Sequence, residues 1–247
     1  MSDLDNQESC NSIDILAAQL CEHLRQCSCV PMDWCVEVKA EELSVNQSIV
    51  PKDVAESFSD VSLLSWDELS KVVHECRACR LCETRKNVVF GIGRNDSPCI
   101  AFVGEGPGAD EDLKGEPFVG KAGELLTAAI TKGLKLQRSD VFITNIVKCR
   151  PPDNRAPLPD EVKACLPYLH RQLAIIKPKV IVTLGNPALQ AMTGLSCGIT
   201  KVRGQWQMWN DIRLMPTFHP AYILRSPSAK RPFWEDLRKV MVEVGLS

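Results

Sequence analysis

Four short apolar runs punctuate the second part of the chain: Cys99–Val103, Val141–Ile146, Val180–Leu184 and Leu214–Phe218. Each is too short for a helix and shows no polar alternation, which predicts strands buried on both faces. Between and after them, helical patterns run over Gly123–Leu134, Pro159–Ile176, Pro187–Met192 and Lys230–Val244. Strand and helix in alternation predict an α/β fold with a parallel sheet covered on both sides. Ahead of the first strand, Ser65-Trp66-Asp67-Glu68 has the spacing of a capping box and opens a helix running toward Cys76. Further upstream, Ile13, Leu16, Leu20 and Leu24 mark one helix over Ile13–Arg25, and the polar stretch 43–62 reads as linker. The pattern divides the chain into an extension, 1–65, and a body, 66–247.

Charge sharpens that division. Residues 1–70 hold 3 Lys/Arg against 14 Asp/Glu, whereas 71–247 hold 26 against 17, so a net charge of −2 conceals an acidic leader and a basic body. A basic body fits a polyanion partner, although solvated surface gives the same numbers. No apolar run approaches the ~18 residues that span a bilayer. The start lacks the pattern of an export signal, so a cytoplasmic protein is expected. In that reducing compartment the 12 cysteines read as thiols and metal ligands rather than disulfides.

Parallel sheets bind ligands at the carboxyl ends of their strands. The first predicted strand runs into Gly104-Glu105-Gly106-Pro107-Gly108 and then Asp110-Glu111-Asp112, and the second ends at Asn145. The third meets Gly185-Asn186, and the fourth ends in His219-Pro220-Ala221-Tyr222. The glycine-rich loop lacks the Lys-Ser/Thr ending of a triphosphate loop, and its acids would repel phosphate. It suits a turn whose backbone approaches a ligand closely. Phe118, in Pro117-Phe118-Val119-Gly120, offers a stacking face, though a lone Phe is more often core filling. His219 offers a titratable donor, though a lone strand-end His is usually structural. Cys76, Cys79, Cys149 and Cys165 could hold zinc or an iron–sulfur cluster, with Cys82 as a competing ligand.

Together these blocks resemble the iron–sulfur (family 4) uracil-DNA glycosylases over about residues 73–245. The resemblance rests on Cys76-Arg77-Ala78-Cys79, Gly104–Asp112, Pro117–Gly123, Asn145–Pro157 and Pro216–Arg225. It implies a three-layer α/β/α sandwich with a four-stranded parallel sheet. It also implies a [4Fe–4S] cluster on Cys76, Cys79, Cys149 and Cys165, and hydrolytic removal of uracil from single- or double-stranded DNA by a monomer. By motif position, Asn145 would pair with the uracil edge, Phe118 would stack on the ring, and His219 would stabilise the departing base. Glu105, Glu111 and Asn154 would organise the attacking water or its loop, and Gly104, Gly106 and Gly108 would line the pocket. Where better-known relatives place an Asp after the position of Glu105, this chain has Gly106. The insertion that marks covalent uracil binders is missing, so ordinary turnover is expected. Lys121, Lys148, Arg150, Arg155, Arg203 and Arg225 are candidate phosphate contacts, and Leu224 a candidate wedge. The alternative is a uracil- or DNA-binding module of the same fold without turnover. The acidic extension, outside the resemblance, is a candidate handle for a repair or replication partner.

Overall fold

The structure, a computed structural model, describes residues 61–246. The helix expected over Ile13–Arg25 and all but the end of the expected linker lie outside the described residues. The capping box at Ser65 forms: its N–H donates to Glu68 Oε2 at 2.8 Å, and its hydroxyl accepts from the Glu68 N–H. Helix α1 follows over Trp66–Glu75. Just ahead of that cap, Val61 is already buried with Leu69 and Val73.

The four predicted strands are the four parallel ones: β2 (Ile100–Gly104), β3 (Phe142–Asn145), β4 (Val180–Leu184) and β6 (Ile212–Thr217). Two short strands, β1 (Ile92–Gly93) and β5 (Gln207–Trp209), add antiparallel edges and make a six-stranded sheet ordered β1-β3-β2-β4-β6-β5. Side chains leave the strands on alternate faces. Ala101, Val103, Ile181 and Leu214 pack on one face against α1 and α4 (Pro159–Ile176), and against α5 (Asn186–Thr193). Ile100, Phe102, Ile143, Val182 and Met215 pack on the other. There they meet α3 (Lys121–Ala128, continued as a π-helical turn to Leu134), α7 (Pro220–Arg225) and α8 (Lys230–Val244). Two short helices, α2 (Ala109–Lys114) and α6 (Ile199–Val202), complete the α-helices among the described residues. This is a three-layer α/β/α sandwich. Each fully buried Phe, Ile or Leu of these faces contributes about 1.5–3 kcal/mol. Among the described residues, no helix is long and apolar enough to cross a membrane.

Strand order places the site. The chain passes from β2 outward to β3, then returns to the opposite side of β2 for β4 and β6. Such a reversal opens a crevice beyond the strand ends. The registers Gly104↔Asn145 and Leu184↔Thr217 bring the ends of paired strands level along that edge.

Candidate active site and thiol pocket

A cleft of about 440 Å³ opens at this edge, and its walls include Glu105, Gly106, Gly108, Glu111, Phe118, Asn145, Asn154, Arg155, His219 and Arg225. Residues from the ends of β2, β3 and β6 thus meet in one space. Gly104 makes the meeting possible. A Cβ there would strike Asn145 Oδ1 and come within 2.6 Å of the Phe118 ring, so only a glycine lets amide and ring close over the strand end.

Asn145 is 2% exposed, and its Oδ1 has no hydrogen-bond partner in the protein. An unmatched buried acceptor costs roughly 1–3 kcal/mol. A ligand donor would remove that cost. Phe118 is buried with φ of 54°, a left-handed conformation strained for a bulky side chain. Its surroundings impose it. Glu111 accepts from the N–H groups of Gly108 (3.0 Å), Val119 (3.1 Å) and Gly120 (3.1 Å), stapling the glycine-rich loop to the Phe118 loop. Arg138, which the sequence did not single out, donates to the Pro117 carbonyl at 2.8 Å and to Thr127 Oγ1 at 2.9 Å. Gly123 lets the next helix start pass under the loop, because a Cβ there would run into the Phe118 backbone.

His219 caps α7, with Pro220 pre-set at the first helical position. Its Nδ1 accepts from the Ala221 N–H at 3.1 Å. That bond leaves the proton on Nε2, so the imidazole can act as a neutral donor. Burial, then the positive charge of Arg225, pushes its pKa down to about 4, against a smaller opposing pull from Glu111. The His219 and Phe118 rings lie 5.7 Å apart, centre to centre. Burial also raises the pKa of Glu105 above the usual carboxylate value. The acids differ in commitment: Glu111 is bound to three backbone N–H groups, while Glu105 lines the cleft. Asn154 Oδ1 is taken by Arg150 Nε at 2.8 Å, and Asn154 sits beside Asp153 with both residues at positive φ.

The basic candidates separate by geometry. Lys121 is exposed at the start of α3, Arg225 is exposed at the cleft, and Leu224 is 48% exposed beside it. Arg155 forms a two-pronged pair with buried Glu161 at 2.6 and 2.8 Å. Arg203 pairs with buried Asp236, donates to the Pro232 carbonyl and lies over the Phe218 ring. Its Nε and Nη2 donors are thereby committed inside the fold. Lys148 requires a correction: its ammonium is fully buried and cannot reach a phosphate. Its place in the apolar run Ile146-Val147 was the available signal.

Cys76, Cys79, Cys149 and Cys165 line a second pocket, which the Asn145–Cys149 turn reaches through Lys148 and Cys149, and Cys82 does not. Each described cysteine is free of disulfides. Cys149 Sγ accepts from Arg85 Nη1 at 3.1 Å, Cys165 Sγ from the Lys148 N–H at 3.3 Å, and Cys76 Sγ from the Ala78 N–H at 3.4 Å. The Tyr168 hydroxyl is 3.4 Å from Cys76 Sγ. Burial raises the thiol pKa values of Cys79 and Cys149 and pushes Cys165 up to about 12. Two buried thiols and two half-buried ones, with N–H donors aimed at three of the sulfurs, fit a thiolate-bound cationic centre, which would deprotonate them. No three His, Cys, Asp or Glu among the described residues close around one point as a single ion requires.

Comparison with known proteins agrees in one direction. The family model of the uracil DNA glycosylase superfamily matches residues 90–238. The type-4 uracil-DNA glycosylase of Saccharolobus solfataricus is 47% identical over 182 residues, 70% of this chain and 84% of that protein. Those of Thermotoga maritima and Archaeoglobus fulgidus are 46% and 44% identical, over 72% and 71% of this chain and 91% and 92% of theirs.

Proposed function

The chain belongs to the uracil-DNA glycosylase superfamily, and from that membership and the cleft we propose how its residues carry out the reaction. The protein is a DNA repair hydrolase that excises uracil from DNA and leaves an abasic site. A stacked, paired uracil must first leave the duplex, at a cost of a few kcal/mol. Lys121, Arg150 and Arg225 hold the flanking phosphates, and Leu224 enters the vacated stack.

The observation that carries the reading is the buried, partnerless Oδ1 of Asn145 facing Phe118. It accepts the ring N–H of uracil, and the amide nitrogen donates to the neighbouring carbonyl oxygen. Cytosine presents the reverse pattern and would leave buried polar groups unmatched. Phe118 stacks on the ring. As the glycosidic bond breaks, negative charge grows on the base, and neutral His219 donates from Nε2 to a carbonyl oxygen of the base. One such donor is worth about 3–4 kcal/mol. Glu105 orients the water and faces the positive sugar, while Glu111 acts through the loops it staples. Cys76, Cys79, Cys149 and Cys165 would hold a [4Fe–4S] cluster, which supplies a rigid cross-link between the start of the body and the Cys149–Cys165 segment. The protein acts as a cytoplasmic monomer, with the acidic extension, 1–65, recruiting a repair or replication partner.

The test is release of free uracil by cluster-loaded protein from single- and double-stranded oligonucleotides. Release at catalytic turnover supports the reading. Binding of uracil-bearing DNA without release would make this a binding module.

A further inference from the structure

One buried charge has no part in the reaction just described. Lys148 is 1% exposed, and its Nζ donates to Thr144 Oγ1 (2.5 Å), Gln172 Oε1 (2.6 Å) and the Asn145 carbonyl (2.9 Å). An ammonium has three donors, so none is left over. Thr144 Oγ1 and Gln172 Nε2 both donate onward to the Phe90 carbonyl, at 3.1 and 2.9 Å. At the backbone, the Lys148 N–H reaches Cys165 Sγ at 3.3 Å, and its carbonyl accepts from the Val89 N–H at 2.8 Å. One residue therefore grips both ends of the turn that joins the cleft to the thiol pocket.

We propose that Lys148 is a positioning residue that fixes the angle at which Asn145 meets the base. This rests on the reading of Asn145 given above. An amide oxygen without a partner takes no orientation from its own hydrogen bonds. Its direction is set by the backbone behind it and by packing against Gly104 and Phe118. A charged donor on that backbone carbonyl is among the stronger hydrogen bonds a turn can have. As a core filler Lys148 would be a poor choice, since a methionine of similar length fills the space without burying charge. The matched network makes sense if holding the turn is its purpose.

Lys148→Met keeps the length and removes the ammonium. The cluster-loaded variant is expected to keep wild-type iron per chain and its visible absorbance. Its kcat for uracil release should fall about tenfold or more, with KM within about twofold, the effect of a mispositioned hydrogen-bonding group. Its binding preference for a duplex carrying hydrolysis-resistant 2′-fluorodeoxyuridine over 2′-fluorodeoxycytidine should fall by a similar factor. Unchanged kcat and preference with the cluster in place would overturn the proposal. So would a rate loss that disappears when divided by iron content, because Lys148 would then serve only the thiols. Should Lys148→Met not fold, Gln172→Leu removes one acceptor of the ammonium. Losses of about two- to fivefold in the same two quantities are expected, and wild-type values would overturn the proposal. If the wild-type protein itself releases no uracil, the reading of Asn145 fails and takes this proposal with it. Wild-type turnover matched by Lys148→Met defeats the proposal alone.

Discussion

The cleft and the thiol pocket share one short turn, which lends Asn145 to the first and Cys149 to the second, and they handle polar groups in opposite ways. In the cleft, hydrogen-bonding capacity is held in reserve: Asn145 Oδ1 is buried and unmatched, and His219 is fixed so that Nε2–H is left to donate. Around the thiols, capacity is used up: Cys149, Cys165 and Cys76 each receive an N–H from the chain, and every donor of Lys148 is matched. A surface that must recognise something leaves atoms wanting. A site that must hold something permanently satisfies its surroundings first. The same logic divides the acids, with Glu111 bound to three N–H groups and Glu105 facing the cleft.

Perturbing each side should have different consequences. The largest effect is expected on the holding side. Cys165→Ser should remove the cluster, abolish uracil release and lower the melting temperature, seen as loss of iron and of absorbance near ~400 nm. If Cys165→Ser kept iron and rate, the thiol pocket would not be the structural node described. On the recognising side, His219→Ala should fold normally, bind DNA as before and lose roughly 10²–10³-fold in rate under single turnover. Asn145→Ala should lose roughly 10–10²-fold on uracil, and the ratio of uracil to cytosine release should narrow.

Acidity gives a finer comparison of Glu105 and His219. Burial raises Glu105 above its ordinary pKa of 4.5, while His219 is lowered to about 4, so on acidification Glu105 takes up its proton first. The acid limb of the rate profile should therefore lie above 4.5 and disappear in Glu105→Gln, whose remaining activity should decline only near about 4. A limb at the ordinary histidine value of 6.5 in the wild type would mean that His219 is not held neutral by its surroundings. Stability has its own sign. Because the folded pKa of His219 lies below 6.5, the unfolded chain binds more protons between there and about 4, and stability should fall as pH drops through that window. The smallest effect belongs to Leu224→Ala, about threefold on duplex and less on single strands, where no stack needs a wedge.

Much of this could be read from residue order. Apolar runs located the four parallel strands because each is buried on both faces, and the residues following three of them formed the cleft wall, while Gly185-Asn186 after β4 stayed outside it. The edge strands β1 and β5 escaped, since two or three residues leave no period to detect. Charge was the least legible quantity. Nothing in the sequence distinguishes the exposed Arg225 from Arg203, which lies against Asp236 33 residues away, and for Lys148 the apolar neighbours Ile146 and Val147 were the one hint of burial. Whether a cation faces solvent depends on what the fold sets opposite it. The left-handed backbone of Phe118 was hidden for the same reason, because Glu111 and Arg138 impose it from elsewhere in the chain.

The most direct test is a structure of the cluster-loaded protein with free uracil. The ring should lie on Phe118 with one edge within hydrogen-bonding distance of Asn145 Oδ1 and a carbonyl oxygen within reach of His219 Nε2. Uracil bound elsewhere, or an Asn145 amide turned away from an occupied cleft, would contradict the account.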